Sequence, residues 1–335
     1  MASDRVSRSG TPRSRRIPYR LKRLYRPEFY QGPRRRLTTY FEGWYYKLVG
    51  VGRAFALIPG VSRAPDDPHS FVQLIDGIAG SSAYHRYPLQ SFLADRDRFR
   101  VAVGGSSFSL EHLEARLDGF EANLRFDRPT LWRGTLLQPG TMGWYSFVPF
   151  MECKHGIIVM DAAARGTVCG EPWEGRLYVE KDYGRSFPNA WVWLQTNSFD
   201  STGVSVTCSI ANVPFVGGAF TGFLAGISVD GELFKFTTYA GSRIERLDVL
   251  DRSVDIELAG PHDRRLRISA TREPGAELRS PRDGAMRGRI VETLSSRVDV
   301  KLESQGRLIF EGTGRSAGLE VVGADRLTPR RPRRR

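Results

Sequence analysis

The stretch that decides the fold runs from Tyr178 to Phe199 and reads YVEKDYGRSFPNAWVWLQTNSF. It is the densest cluster of aromatic and ionisable residues in the chain. If its first part is a β-strand, side chains alternate between two faces, so Glu180 and Asp182 point to one side. Lys181 then points to the other side, where we expect it to be a structural partner. Two carboxyl groups are therefore predicted to face the same way.

The second part of the stretch predicts another strand, which begins after a turn through glycine, serine and proline. On one face this strand carries two indoles and two amides, those of Trp191, Trp193, Gln195 and Asn197. A strand that only fills a core carries aliphatic residues on its buried face, so this face is typical of a pocket lining. The alternative is that both tryptophans are ordinary core or surface residues and that the two acids are solvated.

The net charge of +13 is concentrated at the two ends of the chain. Residues 1–36 contain 12 Lys or Arg against 2 acidic residues, and residues 326–335 contain 6 Arg and no acid. These basic ends lack the interleaved aromatic residues of a base-stacking surface, so we do not expect a nucleic-acid partner. We interpret residues 1–36 as a disordered basic arm with a short motif near 27–32, and residues 326–335 as an Arg-rich tail.

The cysteines and the first residues indicate the compartment. Cys153, Cys169 and Cys208 are an odd number without C-x-x-C spacing, which fits a reducing compartment. The first segment lacks the apolar run of a secretory signal, so we expect a cytoplasmic protein. Peripheral contact with a membrane stays open, because Ser201–Val229 contains no charged residue. Pro214 and several glycines in that stretch favour strand–turn–strand over a membrane-spanning helix.

Short runs of β-branched and aromatic residues, separated by turn residues, continue along most of the chain. Their spacing of roughly 8–12 residues predicts an all-β sandwich or barrel. We expect two β domains, residues 37–190 and 191–325, with few short helices. One helix is predicted at Leu110–Leu117, and one of the strands at Trp144–Phe150.

Several motifs, in order along the chain, resemble the tocopherol cyclase family in its shorter bacterial form. They are Pro27–Gly32 (PEFYQG), Tyr40–Lys47 (YFEGWYYK), Pro149–Cys153 (PFMEC) followed by His155, and Glu180–Phe199. The last motif is the most specific one, and it departs from the family at Tyr183, where a Trp is usual. The resemblance covers about residues 26–323. It implies two lipocalin-like antiparallel β domains, related to those of the carotenoid hydratases.

The resemblance also implies an activity, the acid-catalysed closure of a prenylated hydroquinone to a chromanol ring, which is the reaction of an isomerase (intramolecular lyase). Ring closure needs a carboxylic acid that stays protonated near neutral pH, and an apolar pocket favours that form. It also needs the exclusion of water, which would otherwise capture the carbocation. Neither a metal nor a redox cofactor is required, so we expect none. The expected partner is a hydrophobic small molecule, a prenylated quinol or another isoprenoid.

For this chemistry we predict Asp182 as the proton donor, with Glu180 as second choice and Glu42 as third. The predicted binding residues line the prenyl pocket or hold the quinol oxygens: Trp44, Tyr46, Trp191, Trp193, Gln195, Asn197, Glu152 and His155. Aromatic faces stabilise a passing cation by roughly 0.5–2 kcal/mol each. For Glu42 the alternative is a salt-bridged carboxylate. For Glu152 and His155 it is a hydrogen-bonded pair at the rim of the barrel.

Two other functions stay open at this point. An isoprenoid hydratase would use the same proton donor and would let water, rather than a phenol oxygen, capture the cation. A carrier or sensor would bind a prenyl lipid without turnover, for which a β-barrel cavity is sufficient.

Overall fold

The computed structural model describes residues 23, 25–33, 39–135, 138–147, 151–215 and 218–327. Within these residues the chain forms two antiparallel sheets of eleven strands each. The first sheet contains β1 (Phe41–Gly50), β2 (Arg53–Ser62), β3 (His69–Asp76), β4 (Ser81–Pro88), β5 (Phe92–Ala94), β6 (Arg100–Val103), β7 (Ser106–Ser109), β8 (His112–Leu117), β9 (Phe120–Leu131), β10 (Cys153–Val168) and β11 (Glu171–Gly184). The predicted all-β architecture is confirmed.

The second sheet begins seven residues after the first sheet ends, at the tryptophan-rich strand. It contains β12 (Trp191–Thr196), β13 (Ser198–Phe199), β14 (Ser205–Phe215), β15 (Gly218–Val229), β16 (Glu232–Thr237), β17 (Arg243–Val249), β18 (Ser253–Gly260), β19 (Arg264–Thr271), β20 (Ala276–Arg282), β21 (Ala285–Ser304) and β22 (Arg307–Val322). Short 3-10 helices occupy Leu89–Ser91, Gly143–Phe147, Thr238–Ala240 and Ala324–Arg326.

The strand order places the sequence-distant ends of each half side by side. In the first sheet β1 lies between β2 and β11, and in the second sheet β22 lies between β12 and β21. The register pairs Tyr45 with Glu180 across β1 and β11. It also pairs Glu320 with Trp193 on one side and with Glu292 on the other. Acidic and aromatic residues from five strands are thereby brought to the middle of the two sheets.

Each sheet curls around its own apolar core, and this curvature brings strands that are not hydrogen-bonded neighbours into contact. In the first sheet β2 lies against β6, and in the second sheet β16 lies against β18. A third cluster of buried residues joins the two sheets and includes Tyr45, Tyr178, Trp191 and Trp193. One face of the stretch at the junction therefore belongs to the interface between the sheets, whereas its other face packs into the cores of the two sheets.

Two predicted elements are wrong. The helix expected at Leu110–Leu117 is strand β8, in which Leu113, Ala115 and Leu117 are buried alternately. The spacing of its leucines also fits a helix, but pairing with β9 decides for the strand. The strand expected at Trp144–Phe150 is, in its described part, the 3-10 helix Gly143–Phe147, and residues 148–150 lie outside the described residues.

The predicted basic arm and tail lie largely outside the described residues, whereas the motif at residues 27–32 is described. The charge-free stretch Ser201–Val229 forms mainly the antiparallel pair β14 and β15. No helix in the described part of the chain has the length and apolar character needed to cross a bilayer.

Candidate functional site

A cavity of about 170 Å³ lies between the two sheets. Its wall is mostly apolar and comes from the central strands of both sheets and from the 3-10 helix near Tyr145. A small set of ionisable groups interrupts the apolar lining: His155, Glu180, Asp182, Arg279, Glu292 and Glu320. An apolar hollow with a few converging polar groups is the usual form of a small-molecule site.

Six residues of the stretch that decides the fold lie on this wall, two of which are Phe187 and Pro188 in the turn between its strands. Glu180 and Asp182 come from β11, and Trp191 and Trp193 come from β12. Strand alternation turns Lys181, Val192 and Leu194 away from the cavity. Val192 and Leu194 pack into the core of the second sheet. The structure therefore brings both carboxyls and both indoles into one cavity.

His155, Glu180 and Asp182 form the first ionisable group of the cavity. His155 Nδ1 lies 3.1 Å from Asp182 Oδ1, and His155 Nε2 lies 3.6 Å from Glu180 Oε2. Burial lowers the pKa of His155, but the neighbouring carboxylates of Asp182 and Glu180 outweigh this and raise it to about 9. The imidazole is thus protonated at neutral pH and donates to Asp182, which keeps about a quarter of its side chain exposed.

Glu180 is the buried member of this group. Tyr178 Oη donates to Glu180 Oε2 at 2.6 Å, and Trp193 Nε1 donates to the same oxygen at 3.0 Å. Burial raises the pKa of Glu180 to about 7, against the opposing effect of His155. The protonated form of Glu180 is therefore populated at neutral pH.

Glu292 and Glu320 form the second ionisable group, on β21 and β22. The two residues are register partners across these strands, and both line the cavity. Tyr45 Oη donates to Glu292, and Trp191 Nε1 donates to Glu320 Oε2 at 2.7 Å. Burial, reinforced by Glu320, raises the pKa of Glu292 well above its ordinary value. Burial also raises the pKa of Glu320 to about 7, although the bonds from Trp191 and Glu292 oppose the rise.

Three of these residues offer ligand atoms for a cation. One atom each from His155, Glu180 and Asp182 lies within 4.8 Å of the others. The donor set suits a divalent metal chemically. In the observed arrangement, however, His155 Nδ1 is engaged with Asp182, and Glu180 accepts hydrogen bonds from Tyr178 and Trp193. This arrangement satisfies the carboxylates without a metal.

The structure places two predicted aromatic residues away from the cavity. Trp44 and Tyr46 point to the core of the first sheet, where Trp44 Nε1 donates to the carbonyl of Glu28 at 2.9 Å. The cavity side of β1 is formed instead by Phe41, Gly43 and Tyr45. This corrects the expectation that Trp44 and Tyr46 line the pocket. Because β1 is buried on both faces, its sequence carries no polar side to indicate the direction of the pocket.

Glu42 also lies on the far side of β1. Its carboxylate pairs with Lys181 at 2.5 Å and accepts the backbone N–H groups of Gln31 and Gly32 at 2.8 and 3.0 Å. Lys181 Nζ donates to the carbonyls of Pro27 and Phe29. The expectation that Glu42 is a third acid of the pocket is corrected, since this ion pair fixes the segment 27–32 to the first sheet.

The predicted amides and Glu152 are likewise not on the cavity wall. Gln195 Oε1 accepts from Lys47 Nζ at 3.0 Å, and Asn197 Nδ2 donates to Asp161 at 3.2 Å. The side chain of Glu152 is exposed, and its carbonyl accepts the backbone N–H groups of Arg185 and Ser186 at 2.7 and 3.4 Å. His155 does lie on the wall, bonded to Asp182 and not to Glu152.

Among the polar residues of the wall that were not predicted from the sequence are Tyr45, Glu292 and Glu320. One signal was present for Glu292, because it stands between Ile290 and Leu294 on the apolar face of an alternating strand. An acid on such a face is either paired or functional. Glu320 has no comparable signal, since the residues around it at 318–322 are Gly, Leu and Val on both faces.

The chain was compared with known proteins. The sequence profile described as tocopherol cyclase-like matches residues 128–323. A protein of Oryza sativa subsp. japonica named "Probable tocopherol cyclase, chloroplastic" is 27% identical over 219 residues, which are 56% of this chain and 43% of the rice protein. The chloroplastic tocopherol cyclase of Zea mays is 27% identical over 216 residues, 56% of this chain and 42% of the maize protein. The chain thus spans less than half the length of these relatives.

Solved structures with a similar course of the chain include kievitone hydratase from Nectria haematococca. It is 13% identical, covers 85% of this chain and 89% of the hydratase, and gives a TM-score of 0.45.

Proposed function

Since the chain belongs to the tocopherol cyclase-like family, we propose that it binds a prenylated hydroquinone or a related isoprenoid in the cavity between its sheets and closes a chromanol-type ring by acid catalysis. The observation that carries the proposal is a glutamic acid, Glu180, buried in an apolar cavity and bonded to the indole of Trp193. Its pKa, which burial raises to about 7, leaves a large protonated fraction at neutral pH.

The reaction begins with transfer of the Glu180 proton to the prenyl double bond, which leaves a tertiary carbocation. The phenol oxygen of the same substrate then forms the C–O bond that closes the ring. Trp191 and Trp193, whose side chains line the cavity, stabilise the cation by roughly 0.5–2 kcal/mol each. The mostly apolar wall keeps water from the cation, which favours ring closure over formation of an alcohol.

The structure favours Glu180 over Asp182 as the donor. Asp182 accepts the Nδ1 hydrogen of His155 and is partly exposed, so it serves better as the fixed partner of a protonated imidazole. The side chain of Glu180 is 6% exposed. We therefore assign Glu180 to proton transfer, and Asp182 and His155 to setting the charge around it.

The size of the cavity determines which part of the substrate it encloses. An engineered cavity of roughly 150 Å³ in another protein binds benzene, so about 170 Å³ accommodates little more than one aromatic ring. We propose that the reacting ring and the first prenyl unit occupy the cavity and that the rest of the prenyl chain extends out of it. Trp144 and Phe147, 48% and 57% exposed, lie on the 3-10 helix that contributes Tyr145 to the wall, and they provide an apolar path toward a lipid surface.

The proposal is tested by incubating the purified protein with prenylated hydroquinones under reducing conditions and measuring product mass. A product of unchanged mass with a new retention time is expected. A gain of one water would identify a hydratase, and unchanged bound substrate would identify a carrier; either result contradicts ring closure.

The donor is tested with matched variants on one strand. Glu180→Gln should lower kcat about 10²–10⁴-fold while substrate binding is kept. Glu174→Gln is the control, because Glu174 lies on β11 with its side chain 73% exposed. Full activity in Glu180→Gln, or complete loss in Asp182→Asn with Glu180 intact, would refute the assignment of the donor.

A further inference from the structure

The wall of the cavity contains a second carboxyl pair for which alkene protonation by Glu180 leaves no role. Glu292 and Glu320 are direct neighbours across β21 and β22 and both line the cavity. Glu292 is 1% exposed. Two buried carboxyls on paired residues favour a state that shares one proton, because two adjacent carboxylates would repel each other.

The outer hydrogen bonds of the pair determine which oxygens are free to hold this proton. Tyr45 Oη donates to Glu292 from the first sheet, and Trp191 Nε1 donates to Glu320 from β12. Each carboxyl thus has one oxygen that already accepts a hydrogen bond, from Tyr45 in Glu292 and from Trp191 in Glu320. A hydrogen bond between the two carboxyls needs one hydrogen, and the more strongly raised pKa of Glu292 assigns it to Glu292.

The other ionisable groups that face the pair are few. They are Tyr45 and Lys47 on β1, His155 on β10, and Glu180 and Asp182 on β11. Lys47, whose pKa burial lowers to about 7, donates to Gln195 Oε1. None of the salt bridges among the described residues involves Glu292 or Glu320, so the shared proton takes the place of a counter-ion.

We propose that Glu292 and Glu320 form the second acid–base group of the cavity, in which Glu320 accepts the phenol proton as the ring closes. This inference rests on the proposed function. Glu180 loses its proton to the alkene carbon, the phenol oxygen forms the C–O bond, and its O–H bond breaks toward Glu320. The proton then returns from the pair to Glu180 before the next turnover, so the cycle consumes no proton and needs no oxidant or reductant.

The two glutamates have different roles, and this makes the proposal testable. In Glu292→Gln the amide NH₂ still donates to Glu320, which keeps its carboxylate as a base. In Glu320→Gln the only base of the pair is lost. We therefore expect kcat to fall about 10²-fold or more in Glu320→Gln, with KM little changed, and less than about 10-fold in Glu292→Gln. A purely structural pair would give similar losses for both.

Turnover in D₂O separates protonation of the alkene from capture of the cation. In Glu320→Gln, Glu180 still protonates the double bond, and loss of a proton from the cation regenerates an alkene that contains deuterium. Recovered substrate should therefore gain deuterium without ring closure. In Glu180→Gln recovered substrate should gain none. Glu311→Gln is the control, because Glu311 lies on β22 with its side chain 57% exposed.

An infrared measurement tests the pair without substrate. A Glu180→Gln protein, in which residue 180 contributes no carboxyl band, should show at neutral pH the C=O stretch of a buried protonated carboxyl, and addition of Glu292→Gln should remove it. Absence of that band from the Glu180→Gln protein, or wild-type turnover in Glu320→Gln, overturns the inference. If the Glu180→Gln protein shows the band but the wild-type protein forms no ring from prenylated hydroquinones, the proposed function fails and the catalytic role of the pair fails with it, while the shared proton stands.

Discussion

The ion pair between Glu42 and Lys181 tests whether Glu42 stabilises the fold without taking part in the proposed reaction. Both side chains are fully buried and 2.5 Å apart. Glu42 also accepts hydrogen bonds from Tyr40 Oη and from the backbone of Gln31 and Gly32. Replacing Glu42 by Gln removes the negative charge and leaves the shape of the side chain nearly unchanged.

The expected cost follows from the burial of the partner. Removing one member of a buried pair leaves an uncompensated charge and costs about 3–5 kcal/mol. Glutamine keeps one oxygen that can accept a backbone N–H group, so we expect the lower end, about 3 kcal/mol, for Glu42→Gln. The double variant Glu42→Gln, Lys181→Met should recover part of this loss, because no buried charge remains.

The assay is urea unfolding followed by tryptophan fluorescence, with Glu174→Gln as the exposed control. Ring closure per folded molecule should be unchanged in Glu42→Gln, since its side chain does not line the cavity. A loss of less than about 1 kcal/mol would refute the reasoning about the buried pair. Loss of turnover in a fully stable Glu42→Gln protein would show that Glu42 is an acid of the reaction after all.

Three further predictions concern the cavity and its surroundings. The folded-state pKa of Glu180 and of Glu320 is raised from 4.5 to about 7, so the folded protein binds more protons than the unfolded chain between these pH values. Its free energy of unfolding should therefore fall as pH rises from about 4.5 to about 7. Urea titrations at about pH 5 and 8 measure this fall, which should be smaller in a Glu180→Gln, Glu320→Gln double variant. Gly43 lines the cavity, and a Cβ added there meets only Ile58 and Pro59, each at 3.7 Å. Gly43→Leu should therefore fill the cavity and weaken ligand binding, measured by calorimetry, at least 10-fold, while Gly43→Ala should keep the stability of the protein. Tight binding of the ligand to the Leu variant would contradict its placement in the cavity. Replacing both Trp144 and Phe147 by Ser should lower sedimentation with lipid vesicles at unchanged turnover of detergent-dispersed substrate, and equal sedimentation would exclude this surface from lipid contact.

The residues that could be predicted from the sequence are those within one short stretch. Alternation along β11 and β12 is fixed by the backbone, so the shared direction of Glu180 with Asp182 and of Trp191 with Trp193 follows without knowledge of the rest of the fold. The same logic turned Lys181 to the opposite side, where it contacts Glu42.

The remainder of the site depends on which strands become neighbours. Tyr45 and Glu292 are 247 residues apart in the chain, yet they share a hydrogen bond, and Glu320 meets Trp191 through the pairing of β12 with β22. A single sequence contains no register for such distant strands. Strand alternation also does not show where along a strand the cavity ends. Gln195 lies on the same face as Trp193 but beyond the cavity, where it accepts a hydrogen bond from Lys47.

Polar contacts between the two sheets surround the acids of the cavity. Trp193 of the second sheet donates to Glu180 of the first, and Tyr45 of the first sheet donates to Glu292 of the second. Burial is the largest cause of the raised pKa of both glutamates. Separation of the sheets would admit water, remove these donors and return both carboxyls toward their ordinary ionised state. The docking of the two sheets therefore favours the protonated form of both carboxyls, and the proposed acid chemistry requires both sheets.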